Sequence, residues 1–122
     1  MQVLSNQHQF NILREEVIAL FIPGETIMHR FKIPFVVSDI TKIVVCYYQN
    51  DHTVLERNVN SFSPDDGGTI AIVNFTQEES LLFANDSQYY IQLNVIMNDG
   101  TRCASKKIRC EAGTQYIRER VD

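Results

Sequence analysis

Three histidines, three cysteines and the adjacent carboxylates Asp65-Asp66 are the groups in this 122-residue chain whose chemistry is worth testing first. His8, His29 and His52 share no metal-ligand spacing with one another or with a cysteine. A zinc site would need a close thiolate pair, and Cys103 with Cys110 is not a Cys-x-x-Cys. Neither a metal nor a cofactor is therefore expected. Cys46 lies in an apolar run, where a buried thiol serves as a small hydrophobe, and no histidine stands near it in sequence as a general base. A Cys103–Cys110 disulfide is not expected either. Seven residues along one strand put the two on opposite faces and about 23 Å apart.

Asp65-Asp66 suggests an acid pair or a calcium loop, but it sits in a Pro-x-x-Gly-Gly turn context without alternate carboxylates and a closing Glu. Solvated turn formers are the expectation. Gly67-Gly68 precedes a strand rather than a helix, so it makes no phosphate cradle on a helix N-terminus. Neither Gly-x-Ser-x-Gly nor a P-loop occurs. Asn74-Phe75-Thr76 and Asn85-Asp86-Ser87 match the glycosylation acceptor triplet, which has meaning only in a secretory setting. No catalytic residue emerges, and the expectation is a protein that is not an enzyme.

Tyr47, Tyr48, Tyr89, Tyr90 and Tyr116 offer another kind of surface. In each adjacent pair, alternation turns one ring inward and leaves the other for solvent. Exposed tyrosines on a sheet suit either a protein contact or a stacked sugar. Carbohydrate or cell-surface binding is thus the alternative to a purely protein-binding role.

The elements that position these groups are strands. From Tyr89 onward every second residue is apolar (Tyr89, Ile91, Leu93, Val95, Met97), which sets one face of a strand on a core. Asn98-Asp99-Gly100 supplies the turn, and Thr101 to Glu111 returns. Thr26 to Phe35 alternates as well, with Ile27, Phe31, Ile33 and Phe35 on one face; His29 shares that face and reads as a hydrogen-bonded core or interface histidine. Lys42 to Gln49 is nearly continuous in apolar residues, as in a central strand covered on both faces. Asn50-Asp51-His52 is a hairpin turn before Thr53 to Val59, and His52 there reads as solvated. Ser63 to Gly68 is a turn cluster before the strand Thr69 to Phe75. Thr76-x-x-Glu79 has capping-box spacing and opens one or two helical turns. Val17 to Ile22, stopped by Pro23-Gly24, is a first strand. About seven short strands at ten- to twelve-residue spacing make an antiparallel β-sandwich with one short helical turn.

Length fits a single domain with its own core. Apolar residues form 44% of the chain and charged residues 21%, an ordinary globular balance. The net charge of −4 and scattered cations argue against nucleic acid. Lys106, Lys107 and Arg109 cluster on the returning hairpin strand, where charge protects a sheet edge. The longest apolar run, Val17 to Ile22, is too short to span a bilayer, so no membrane role is expected. The N-terminal residues have neither a basic region nor an apolar run with a cleavage site, which reads as no signal peptide. Reduced thiols are the matching expectation.

The runs Phe21-Ile22-Pro23-Gly24-Glu25-Thr26, Phe31-Lys32-Ile33-Pro34 and Asp39-Ile40-Thr41-Lys42-Ile43 resemble small proteins of tailed bacteriophages of gut bacteria. So do Thr76-Gln77-Glu78-Glu79, Leu82-Phe83, the last hairpin and the charged tail. The resemblance covers roughly Phe21 to Cys110 and rests on strand and turn residues, not on an active-site motif. It implies an all-β fold, a single immunoglobulin-like antiparallel sandwich, in the style of baseplate and head-decoration domains. It also implies a structural or adaptor module of a virion, assembled in the bacterial host cytoplasm, that contacts other virion proteins and forms homo-oligomers. The expected organisation is an N-terminal arm over 1–16, the sandwich over 17–111 and a C-terminal tail over 112–122. Both polar ends are expected to reach a neighbour and order on contact. Phe10, Leu13, Tyr116, Arg118 and Arg120 are the candidate partner-binding residues, with Glu119 joining the two arginines to set register.

Overall fold

Alternation in Ile27–Ile33 and Ser87–Met97 selects one buried face on each strand, and the two faces meet. The computed structural model of the chain describes residues 9–12, 14–16, 20–21, 23, 26–59 and 62–113. Among the described residues ten strands run in the order β1 (Arg14–Glu16), β2 (Leu20–Phe21), β3 (Ile27–Ile33), β4 (Ile40–Gln49), β5 (His52–Val59), β6 (Phe62–Asp65), β7 (Gly68–Phe75), β8 (Ser87–Met97), β9 (Arg102–Ala104) and β10 (Ile108–Ala112). A short helix, α1 (Gln77–Ser80), separates β7 from β8, and a 3-10 turn (Val37–Asp39) leads into β4.

One sheet has the order β1-β3-β7-β6, the other β2-β10-β8-β4-β5, with β9 extending β10 alongside β8. Every pairing between strands is antiparallel except β2 with β10, which is parallel. The sandwich is as expected, but its strands are more numerous than seven. Ser63, Pro64 and Asp65, read from sequence as turn, belong to β6; only Asp66 and Gly67 form the loop, with Asp65 opposite Gly68. Pro64 is tolerated because β6 is an edge strand. Val17 to Ile22 is described only at Leu20 and Phe21, which form β2.

Turn chemistry fixes three hairpins. Asn50 and Asp51 both adopt positive φ (53° and 63°) between Gln49 and its partner His52. That is the two-residue loop whose twist matches its flanking strands. Gly67 (φ 75°) and Gly100 (φ 89°) take the left-handed position in the other two. Thr76 caps α1 as its spacing predicts: its hydroxyl accepts from the Glu79 amide at 3.1 Å, and the Glu79 carboxylate accepts from the Thr76 amide at 3.0 Å.

The return strand is where sequence reasoning misplaced two side chains. Cys103 stands opposite Val95 and Cys110 opposite Tyr89, so seven steps on the return match six on β8. The extra residue is absorbed around Ser105, between β9 and β10. There the Ser105 amide donates to the Leu93 carbonyl at 2.8 Å, and the Ser105 hydroxyl accepts from the Leu93 amide at 2.9 Å. Both cysteines consequently face the core, not opposite sides, and neither is in a disulfide.

Phe31, Ile33, Ile43, Val45, Tyr47, Phe83, Tyr89, Ile91, Leu93 and Val95 are fully buried between the sheets. Each such side chain contributes roughly 1.5–3 kcal/mol by leaving water. At one end the core is aromatic: Tyr47 meets Phe75 at 4.7 Å between ring centroids and Phe83 meets Tyr89 at 5.2 Å, both edge-to-face.

Candidate binding face

The expected partner-binding residue Phe10 is tied to its own domain. Its amide donates to the Ala104 carbonyl at 3.1 Å, its carbonyl accepts from the Lys106 amide at 2.9 Å, and its ring packs edge-on against Phe35 at 5.0 Å. β1 pairs with β3. The described parts of the segment 1–16 thus lie on the sandwich. Leu13, Tyr116, Arg118, Glu119 and Arg120 fall outside the described residues, as does His8.

His29 is wholly enclosed. Its Nδ1 lies 2.8 Å from the Tyr47 hydroxyl, and its ring stacks on Tyr47 at 5.6 Å and meets Phe75 edge-on at 5.4 Å. Burial lowers its pKa from 6.5 to about 4, and burial also pushes Tyr47 well above the usual phenol range. This is a core histidine. His52 is exposed, with its Nδ1 3.1 Å from the Asn50 carbonyl.

Cys46 departs from expectation. β4 does run centrally, between β8 and β5, but only one of its faces meets the other sheet. Cys46 lies on the open face, half-buried, with its thiol donating to the Glu56 carboxylate at 3.8 Å. Burial first, then the Glu56 charge and hydrogen bond, raise its pKa against a smaller opposing effect of Arg102. Such a thiol stays protonated and makes a poor nucleophile. Asp65 is no solvated turn former either: it accepts from the Lys32 ammonium at 2.8 Å, and the Lys32 side chain is only 10% exposed. Among the described residues no group of three or more His, Cys, Asp or Glu side chains could hold a metal.

Two depressions differ in what they offer. One, of about 460 Å³, is lined by Asp39, Met97, Asn98, Asp99, Thr101 and Cys103 at one end of the sandwich. Several of its polar groups already serve the turn. Asn98 accepts from the Thr41 hydroxyl at 2.7 Å and donates to the Ser38 carbonyl at 2.6 Å, while Asp99 accepts from the Thr101 amide at 2.9 Å. Hydrogen bonding from Thr101 holds the Asp99 carboxyl below its ordinary range.

The other, of about 380 Å³, lies on the open face of the six-stranded sheet and is lined by Cys46, Tyr48, Thr53, Tyr90, Gln92 and Lys107. Register builds it. Tyr48 on β4 stands directly opposite Tyr90 on β8, and Thr53 on β5 stands opposite Tyr48. Tyr47 and Tyr89 are fully buried, whereas Tyr48 is 39% exposed and Tyr90 half-buried. Each tyrosine doublet therefore splits as alternation requires. Arg109 stands opposite Tyr90 on the same face. By register and groove lining this face carries Lys42, Arg102, Lys107 and Arg109 against Glu56 and Glu111. Four cations over two carboxylates make it locally positive on a chain of net charge −4.

No family model matches the chain, and no curated protein matches it. Solved structures do. A purple acid phosphatase, PPD1 from yellow lupin (Lupinus luteus) seeds, superposes with a TM-score of 0.52 at 12% identity over 75% of this chain and 18% of that one. An engineered protein superposes with a TM-score of 0.47 at 11% identity over 79% of this chain and 18% of that one. The chain thus spans under a fifth of the length of either structure, and the phosphatase likeness shows the fold alone. With the sheet orders above, the class is an all-β sandwich of two sheets. None of its three cysteines forms a disulfide, and the His29–Tyr47 hydrogen bond stands between β3 of one sheet and β4 of the other.

Proposed function

We propose that this chain is a non-enzymatic adaptor module that works through protein–protein contacts, by strand addition at a sheet edge. The observation that carries the reading is β5. Among the described residues this eight-residue strand pairs only with β4, so its outer edge presents unspent amide and carbonyl groups. The enclosed His29, the protonated Cys46 and the engaged Asp65 supply no converging reactive groups, which favours binding over catalysis. The resemblance of Phe21 to Cys110 to bacteriophage proteins adds the setting: a virion, with other virion proteins and further copies of this chain as partners.

Light scattering on the full chain after size-exclusion chromatography, combined with hydrogen exchange, tests this. Assembly should slow exchange of the His52–Val59 amides. Lysines at Thr53 and Asn58 should weaken assembly without changing the fold. Assembly unaffected by those lysines, with β5 exchange unchanged, would overturn the edge mechanism. Capsid, portal or tail genes beside this one would support the virion setting, and metabolic genes there would overturn it.

A further inference from the structure

We propose that the groove between Tyr48 and Tyr90 binds an acidic saccharide, one sugar ring seated on the tyrosine pair with its carboxylate directed to Lys107. This goes beyond the adaptor reading, which concerns the β5 edge, and it is separately testable.

The location decides what kind of ligand fits. Tyr48 and Tyr90 lie on β4 and β8, and each of these strands has ladder partners on both sides. Their backbone groups are spent, so a partner strand would find nothing to pair with there. Only side chains can hold a ligand at mid-sheet. Directly opposed residues on neighbouring antiparallel strands have Cβ atoms about 5 Å apart, close to the width of one pyranose ring. Two phenol rings so spaced offer an apolar platform for the C–H face of a sugar, with a polar edge for its hydroxyls.

The rim supplies the remaining chemistry. Thr53 brings a hydroxyl, Gln92 a carboxamide carbonyl and Lys107 an exposed ammonium group. The Gln92 amide nitrogen is committed to the Ser105 carbonyl at 2.9 Å, which fixes that side chain, and a carboxamide oxygen is an acceptor for sugar hydroxyls. A ring of hydroxyls needs this mixture of donors and acceptors, whereas a lipid tail or an apolar helix does not. Charge then selects among sugars. The four cations and two carboxylates of this face favour an anionic ligand, against the sign of the chain as a whole. The volume of about 380 Å³ lies at the lower end of small-ligand sites.

Titration of the 15N-labelled full chain with trigalacturonic acid, monitored by amide shifts, tests the proposal. Maltotriose serves as the neutral control and polyglutamate as the acidic-peptide control. Shifts should map to Tyr48, Thr53, Tyr90 and Gln92. Tyr48→Ala should weaken binding about tenfold. Lys107→Gln should weaken trigalacturonate binding severalfold and leave maltotriose unchanged, and salt should do the same. Both positions are solvent-facing, so each variant should keep the wild-type melting temperature, read alongside. No shift at these residues with trigalacturonate or with sialyllactose overturns the proposal. So does equal affinity for maltotriose, or polyglutamate binding that Tyr48→Ala abolishes equally.

Discussion

His29 Nδ1 and the Tyr47 hydroxyl meet at 2.8 Å between the two sheets, inside a cage of aromatic rings. The bond joins a strand of one sheet to a strand of the other. It also leaves His29 Nε2 without a hydrogen-bond partner among the described residues. A neutral imidazole can bear that. A protonated one would place a second N–H, with its charge, in the same dry site.

Acid should therefore weaken the fold through His29. Its folded pKa of about 4 lies below the unfolded 6.5, so the unfolded chain takes up a proton first. Stability from this group is complete above pH 6.5, falls as the pH drops toward 4, and levels off below it. The shift corresponds to roughly 3 kcal/mol. Urea midpoints measured between pH 7.5 and 4 check this, and His29→Leu should flatten that part of the profile. A His29 ring proton titrating near 6.5 in the folded protein would refute the account.

Removing only the hydroxyl tests the other half of the pair. Tyr47→Phe keeps the stacked rings and strips His29 of its polar partner, at a cost of about 1–3 kcal/mol. Tyr47→Phe with His29→Leu should cost less than the sum of the two changes, because neither then strands a buried polar atom. Chemical denaturation of the four proteins in the cycle gives the coupling, and strict additivity would deny the bond a role.

Much of this was legible in the chain. Alternation in Ser87–Met97 names the buried face of β8, Thr76 and Glu79 announce α1, and the tyrosine doublets divide as the two-residue period requires. What the sequence withholds is register and irregularity. Nothing in Tyr48 or Tyr90 says that they stand opposite one another, since pairing across forty residues depends on the whole sheet. The step at Ser105 that returns Cys110 to the core face is likewise set by the hydrogen bonds between Ser105 and Leu93. Cys46 read as buried because a continuous apolar run looks the same whether one face of its strand is covered or two. Lys32 and Asp65 pair only because β6 lies beside β7, which a Ser-Pro-Asp-Asp stretch does not advertise.

Neighbouring glycines in one turn should respond to alanine for different reasons. Gly67 has open space around its Cβ position but a φ of 75°, so Gly67→Ala should cost only the left-handed backbone strain, about 1 kcal/mol. At Gly68 an added methyl would run into the Ile33 carbonyl oxygen and crowd the Lys32 side chain. That contact is backbone on β3, which cannot step aside without opening the β3–β7 ladder. Gly68→Ala should cost several times more than Gly67→Ala. Thermal melts of the two variants decide it, and equal losses would mean that β3 and β7 are not so closely apposed.

The three thiols should react in an order set by exposure, and none should react quickly. Cys46 is half-buried and held protonated by burial and Glu56, while Cys103 and Cys110 face the core. Burial, aided by Asp99, raises Cys103 as well. A thiol-disulfide reagent at pH 7.5 should label Cys46 slowly and first, with the other two labelled only on unfolding. Glu56→Gln removes a nearby negative charge and offers an N–H donor that can serve a thiolate, so it should speed Cys46 labelling severalfold at unchanged stability. Because Cys46 lines the Tyr48–Tyr90 groove, a sugar bound there should slow the same reaction. Rapid labelling of Cys46 in the native wild-type chain would show a thiolate at that position, and would restore the nucleophile that its surroundings argue against.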